Sequence, residues 1–292
     1  MSSPLSHFES AKPGTTLAGF DVLAKVGEGA ASFVYVVMDP KTKQIKALKH
    51  VIKHDKKDQR FLDQAESEYN VAQKVKSQHI RNIERIIKTR EKLISVRELF
   101  LVMEYVDGVS LERLPPDSVE QAIQFFIQAA EGLGHMHRCG FVHADMKPNN
   151  IIRMSDGTVK IIDLGQACAI GTKKERIQGT PDYIAPEQVH RREITPATDI
   201  YNLGATMYWV LTKKNIPTAM SGKGDSLVEG LDGAMIARPK PAHEINGKVP
   251  PALSELINDC VEPEPENRPA TMDAVMERLG RVLREMRDAA KG

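Results

Sequence analysis

HADMKPNNIIRMSDGTVKIIDLG, His143 to Gly165, is the stretch on which the fold turns. IIRM and TVKII are apolar, β-branched runs on either side of Ser155-Asp156-Gly157, so the segment predicts a hairpin closed at that turn. Chain reversal there brings Asn150 and Asp163 together at the open end. An amide oxygen beside a carboxylate is a pair of hard ligands suited to Mg2+. Asp145 precedes Asn150 by five residues and faces the same space, where it is placed to accept a hydroxyl proton. Lys147 adds a positive charge for a transferring phosphoryl group.

Toward the N-terminus the periodicity changes. Phe20, Val22, Ala24 and Val26 alternate with Asp21, Leu23 and Lys25, and after GEGAAS (Gly27–Ser32) the run FVYVVMD is again strand-like, which predicts a hairpin around glycines. Glycines there let backbone N–H groups approach an anion closely, although a tight turn alone also explains them. A helix does not follow, so the dinucleotide-binding fold is excluded, and no G-x-x-x-x-G-K-[ST] occurs. A third strand, QIKALKHV, carries Lys49 in an apolar context that calls for an anionic partner. From Phe61 to Gln78 the apolar positions Leu62, Ala65, Tyr69, Ala72 and Val75 recur at helical steps. On that helix Glu68 lies at about 240°, beside an apolar stripe centred at about 285°, whereas Glu66 lies at about 40°. Glu68 is therefore the expected partner of Lys49. Strand-like runs Asn82–Lys88 and Glu98–Tyr105 complete an antiparallel lobe.

Beyond the turn-like DGVS at Asp107–Ser110, helical segments dominate: Ser118–Arg138, Ser226–Met235, Ala252–Val261 and Ala270–Ala289, with Ile151–Ile162 as the one β interruption. A mainly β part joined to a mainly α part is an α+β fold. The balance of the 292 residues, 41% apolar and 27% charged, is that of a globular chain and excludes a disordered or collagen-like one. With 40 Lys+Arg against 39 Asp+Glu, the net charge of +1 gives no field favouring nucleic acid or anionic lipid. Three cysteines without a C-x-x-C pair suggest neither zinc nor a disulfide framework and fit a reducing cytoplasm. The longest apolar stretch, Ile200–Leu211, is too short to span a bilayer. Residues 1–15 read as a flexible leader.

Taken in order, these residues resemble the eukaryotic-type (Hanks-type) serine/threonine protein kinase family, including its bacterial members. The resemblance covers about residues 16–289: the glycine hairpin, Lys49, Glu68, H-x-D-x-K-x-x-N at 143–150, Asp163-Leu164-Gly165, GTPDYIAPE at 179–187, Asp199 and Arg268. It implies a protein-kinase-like bilobal fold, with a small antiparallel β lobe carrying one main helix over 16–105 and a larger, mainly helical lobe over 106–289. The implied activity is transfer of the γ-phosphoryl group of ATP to serine or threonine hydroxyls of proteins, with Mg2+ or Mn2+. Asp145 is then the base, Lys147 a charge on the phosphoryl group, and Lys49 the phosphate contact held by Glu68. Asn150 and Asp163 hold the metal. The nucleotide set implied by the resemblance is Gly27, Glu28, Gly29, Ala30, Ser32 and Val34 in the loop, then Ala47 and Lys49. Met103, Glu104 and Val106 join it for the adenine, and Asn150, Ile152 and Asp163 for the remainder. Lys147 with Thr180 resembles the serine/threonine-specific pattern.

Ala144 replaces the arginine usual in H-R-D, so the main receptor for an activation-segment phosphate is missing, and activity without such phosphorylation is expected. Leu164 replaces the usual phenylalanine, a conservative apolar change. A pseudokinase, or a small-molecule phosphotransferase, is the competing reading; the complete Lys49, Glu68, Asp145, Asn150 and Asp163 set opposes the first, and GTPDYIAPE with Arg268 opposes the second. A homodimer is compatible with the resemblance.

Overall fold

The alternation that starts at Phe20 does form a sheet. The computed structural model describes residues 10–91, 95–218, 220 and 237–291. The chain falls into two units: one holds the residues up to Lys76 with Arg81–Asp107, the other Ser77–Ile80 with the chain from Gly108 onward.

In the first unit, β1 (Thr16–Leu17), β2 (Phe20–Gly29), β3 (Ser32–Met38), β4 (Ile45–Ile52), β5 (Ile83–Glu91) and β6 (Ser95–Glu104) pair antiparallel in the order β1-β2-β3-β4-β6-β5. Alternation sends Phe20, Val22, Phe33, Tyr35, Val37, Leu48, Ile52, Phe100 and Val102 into one core cluster, whereas register shifts in β2 after Val22 and Lys25 leave Val26 exposed. The other face carries Val34, Ala47, Lys49 and Met103, because these pair across the strands as Val34↔Lys49 and Ala47↔Met103. The helix α1 (Gln59–Lys74) follows β4 and is led in by Asp55, whose carboxylate accepts the N–H groups of Lys57 and Asp58. It ends four residues before the Gln78 expected from its pattern: Val75 is buried from an extended backbone (φ −107°), so its apolar character continued the periodicity without continuing the helix.

The second unit contains β7 (Gly108–Ser110), α2 (Val119–Arg138), β8 (Phe141–Val142), β9 (Ile151–Met154), β10 (Val159–Ile161), β11 (Cys168–Ala169), β12 (Thr172–Lys173), α3 (Pro186–Val189), β13 (Glu193–Ile194), α4 (Pro196–Thr212), α5 (Ala242–Ile245), α6 (Pro251–Cys260) and α7 (Met272–Ala289). Three features differ from the sequence expectations. Part of DGVS is strand, since Gly108–Ser110 pairs with Ile152–Met154. The β content extends beyond the Ile151–Ile162 hairpin to the short pairs β8/β11 and β12/β13. The α4 helix was absent from the periodic segments because 14 of its 17 residues are buried, and an element surrounded on all sides has no polar face to set a 3.6-residue period. The expected Ser226–Met235 helix lies outside the described residues. No helix among the described residues is long and apolar enough to cross a membrane.

The second unit is cross-tied by Arg268, whose side chain is fully buried. Its five N–H donors all find acceptors: Nε the carbonyl of Glu262, Nη1 Glu187 Oε1 and the Ala197 carbonyl, Nη2 Glu187 Oε2 and the Pro263 carbonyl, all at 2.7–2.9 Å. Arg268→Ala should destabilise the chain by about 3–5 kcal/mol in denaturant titration, because Glu187 stays buried without its counter-charge; a loss below about 1 kcal/mol contradicts this account.

On the sheet, His50 stacks on Phe100 at 4.3 Å between ring centroids. Burial pushes its pKa below the ordinary value and outweighs the Glu98 carboxylate 3.4 Å away. The unfolded chain, with a histidine near pH 6.5, binds the proton more readily, so the stability His50 contributes is present above about pH 6.5 and lost as pH falls through the folded value. His50→Leu should therefore flatten the decline of thermal stability between about pH 7 and pH 5; an unchanged pH profile refutes the assignment.

Candidate active site

In the first unit the site residues are arranged by strand register. Gly27 pairs with Val34, Gly29 with Ser32 and Lys46 with Glu104. The glycine loop is tight: a Cβ on Gly29 would stand 2.9 Å from Ser32 Oγ, so a side chain at 29 would make the hydroxyl at 32 turn aside. Glu28, though in the loop, is drawn to Lys25 Nζ at 2.7 Å. Lys49 Nζ donates to Glu68 Oε2 at 2.6 Å. The Glu68 side chain is fully buried, and its Oε1 has no partner among the described residues. Glu66 instead reaches Lys88 at 2.9 Å on the exposed side of α1, as the helical angles require. Met103 is fully buried on β6, Ala47 nearly so on β4, and Val106 lies in the irregular segment after β6.

In the second unit the loop between β8 and β9 carries the polar chemistry. The Asp199 carboxylate, fully buried near the start of α4, accepts the backbone N–H of His143 and of Ala144, both at 2.8 Å, and the His137 Nε2 at 2.9 Å. Ala144 adopts φ +60°, and its methyl packs with Val142 and Ile194. His143 is fully buried, and its Nδ1 accepts the N–H of Asp145 at 3.3 Å, which places the ring proton on Nε2. Asp145, Lys147 and Thr180 close a triangle. Lys147 Nζ donates to Asp145 Oδ2 (3.0 Å) and Thr180 Oγ1 (2.8 Å), and Thr180 Oγ1 donates to Asp145 Oδ1 (2.8 Å).

The β9/β10 hairpin closes at the SDG turn, where Met154 N–H donates to the Thr158 carbonyl and Gly157 takes φ +84°. At its open end Ile162 N–H donates to the Asn150 carbonyl at 2.9 Å, so Asn150 and Asp163 leave adjacent positions of the ladder. Asn150 Nδ2 donates to the Asp145 carbonyl at 2.8 Å, so Oδ1 is the end of that amide that could face a cation. Asp163, at φ +68°, accepts the N–H of Gly165. Two oxygen ligands suit a cation that completes its shell with water and phosphate oxygens, as Mg2+ does. Among the described residues no group of three or more His, Cys, Asp or Glu is assembled for a metal. Ile152 is half-buried on β9 between β7 and β10.

Periodicity did not single out Gln188, Asn202, His137 or Thr198, although all four hold the loops in place. The readable signal was one of type: Asn202 and Thr206 stand inside the apolar run IYNLGATMYWVL, where a buried polar group must have a partner.

A β-sheet unit bearing one principal helix, followed by a helical unit with an H-x-D-x-K-x-x-N loop and an Asp-x-Gly turn, defines the protein kinase architecture. Residues 20–279 match the protein kinase domain family, and the chain belongs to it. It is similar to a probable serine/threonine-protein kinase of Clostridium acetobutylicum, 29% identical over 92% of this chain and 41% of that protein. It is also similar to the serine/threonine-protein kinases PknL of Mycobacterium tuberculosis, 30% identical over 91% of this chain and 66% of that protein, and PknB of Mycolicibacterium smegmatis, 31% identical over 63% and 30%. The chain thus spans less than two thirds of the length of these relatives.

Lys49→Met removes the cation from a fully buried Glu68. It should abolish phosphoryl transfer and lower stability by about 1–3 kcal/mol. The double variant Lys49→Met/Glu68→Gln should recover stability without recovering transfer. Transfer by either variant at the wild-type rate contradicts the assignment of Lys49.

Proposed function

We propose that this chain is an ATP-dependent serine/threonine protein kinase in which Asp145 accepts the proton of the attacking hydroxyl. The observation that carries the reading is the Asp145–Lys147–Thr180 triangle: a carboxylate, a cation and a hydroxyl are joined by bonds of 2.8–3.0 Å, and the loop that bears the first two is braced from behind by Asp199. Thr180 Oγ1 occupies Asp145 Oδ1 with the same kind of bond that a substrate hydroxyl would make, so the carboxylate is already directed at a hydroxyl donor. Lys147 balances the negative charge that gathers on the phosphoryl oxygens as the new bond forms.

Asn150 Oδ1 and Asp163 would hold Mg2+ or Mn2+, which would neutralise charge on the phosphate chain. Lys49, held by Glu68, contacts the α- and β-phosphates, with the Gly27–Ser32 loop over them. In the first unit Glu28 of that loop, Ala30 and Val34, with Ala47, Met103, Glu104 and Val106, would contact the nucleotide, as would Ile152 in the second. Proteins bearing serine or threonine are the substrates. The fully partnered Glu187–Arg268 tie behind the GTPDYIAPE segment supports a platform for peptide over a small-molecule acceptor. The described activation segment offers Thr172 and Thr180 as its Ser/Thr hydroxyls, and Thr172 Oγ1 is engaged with the Ala169 carbonyl at 2.6 Å, which supports activity without phosphorylation there.

The test is transfer of γ-labelled phosphate from ATP to the chain itself or to a generic protein. Asp145→Asn should lose about a hundredfold or more of the rate, while phosphatase-treated chain and Thr172→Ala retain it. Nucleotide binding with no transfer to any acceptor would instead establish a pseudokinase, and equal labelling by Asp145→Asn would exclude Asp145 as the base.

A further inference from the structure

The Gln188 side chain, 4% exposed on α3, is the most completely engaged amide beside the loop that holds Asp145. Its Nε2 donates to the Ala144 carbonyl at 2.8 Å and the Gln178 carbonyl at 3.2 Å. Its Oε1 accepts the Ala185 N–H at 3.0 Å and Asn202 Nδ2 at 3.1 Å. The orientation of both amides follows from fixed backbone groups. Two carbonyls demand a donor from one end of Gln188, the Ala185 N–H demands an acceptor at the other, and Asn202 must then present Nδ2, which it also gives to the Tyr183 carbonyl at 2.7 Å. All the hydrogen-bonding capacity of Gln188 is used.

The four partners belong to separate parts of the chain. Ala144 immediately precedes Asp145. Gln178 lies two residues before Thr180, the hydroxyl that donates to Asp145 Oδ1. Between Gln178 and Thr180, Gly179 takes φ +132°, a conformation side-chain-bearing residues rarely adopt, and a Cβ there would stand 3.2 Å from Gln188 Nε2, so the backbone at 178–180 lies close against the amide. Asn202 belongs to α4, which also carries the Asp199 that binds Ala144 from its other side. The backbone of Ala144 is thereby held twice, by a carboxylate on its N–H and by an amide on its carbonyl.

We propose that Gln188 is a positioning residue for phosphoryl transfer: its amide fixes the separation and orientation of Asp145 and Thr180 by binding both backbones that carry them, and Asn202 fixes the amide. The inference rests on the kinase reading only for its kinetic consequence. The mechanical claim, that this buried amide holds the backbone of the 178–183 segment to the loop at 143–147 beside the side-chain bonds of Thr180 to Asp145 and Lys147, is separate from any activity.

Two measurements on Gln188→Met, which keeps the length and apolar volume and removes all four bonds, decide it. Hydrogen exchange followed by mass spectrometry should show faster exchange over residues 143–147 and 178–183, with α4 protected as in wild type. The maximal transfer rate should fall about tenfold or more, while ATP affinity in direct binding stays within about twofold, since misplacement of a reacting group lowers turnover and not nucleotide binding. Asn202→Ala, which removes the bond that orients the amide together with the one to the Tyr183 carbonyl, should give the same signature at smaller amplitude over 143–147 and 178–180, and it decides the question there if Gln188→Met does not fold. Exchange at 143–147 and 178–183 equal to wild type, or a turnover unchanged in the folded variants, overturns the proposal. A uniform loss of protection through α4 would also overturn it, by making Gln188 a general stability residue. If wild-type chain transfers no phosphate to any acceptor, the kinase reading fails, and hydrogen exchange alone still decides whether the amide is the clamp.

Discussion

A carboxylate removed from water, Asp199, organises the second unit. Burying a charge is costly unless strong donors surround it, and here two backbone N–H groups and an imidazole do so at 2.8–2.9 Å. The same bonds hold Ala144 at φ +60°, a conformation a non-glycine residue adopts at a cost of about 1 kcal/mol or more. The carboxylate and the strained backbone are therefore mutually dependent: the turn presents two N–H groups in parallel to Asp199, and the charge keeps the turn from relaxing. Asp145 follows immediately, so its direction is set by this exchange, and Asn150 and the hairpin beyond it are tied back through the Asp145 carbonyl.

The unit is built on saturation of buried polar groups. Arg268 satisfies five donors and Gln188 all its amide positions, whereas an apolar core of the same volume would take these donors from the carbonyls of Ala144, Gln178, Glu262 and Pro263. Low local dielectric strengthens each bond and makes each omission expensive, so the loops between short strands acquire a definite geometry without long stretches of regular structure. The first unit follows a different rule. Its sheet is fixed by apolar alternation, and its one ion pair of consequence, Lys49 with Glu68, is set by helical phase and strand register together.

Much of this was legible beforehand, and for identifiable reasons. Period-2 alternation at the start of Phe20–Val26 and the SDG turn specify strands locally, and the angular position of Glu68 against the α1 stripe selects it over Glu66. The failures are equally physical. The α4 helix carries no amphipathic period because it is enclosed on all sides, the end of α1 was overrun because buried Val75 is apolar for a reason other than helicity, and the short β8/β11 and β12/β13 pairs are formed by segments far apart in sequence, whose strand propensity is decided by the partner.

The amino-acid sequence alone determined the order of elements, the two kinds of lobe, and the identity of the charged residues set beside glycines, strand ends and turns, since these depend on local periodicity and turn chemistry. The tertiary structure decided which polar side chains are partners. Hydrogen bonds such as Gln188 to Ala144 and Arg268 to Glu187 join residues 44 and 81 positions apart. No local pattern records such pairings, because a buried amide or guanidinium is satisfied by whatever acceptors the packing of distant segments brings within about 3 Å.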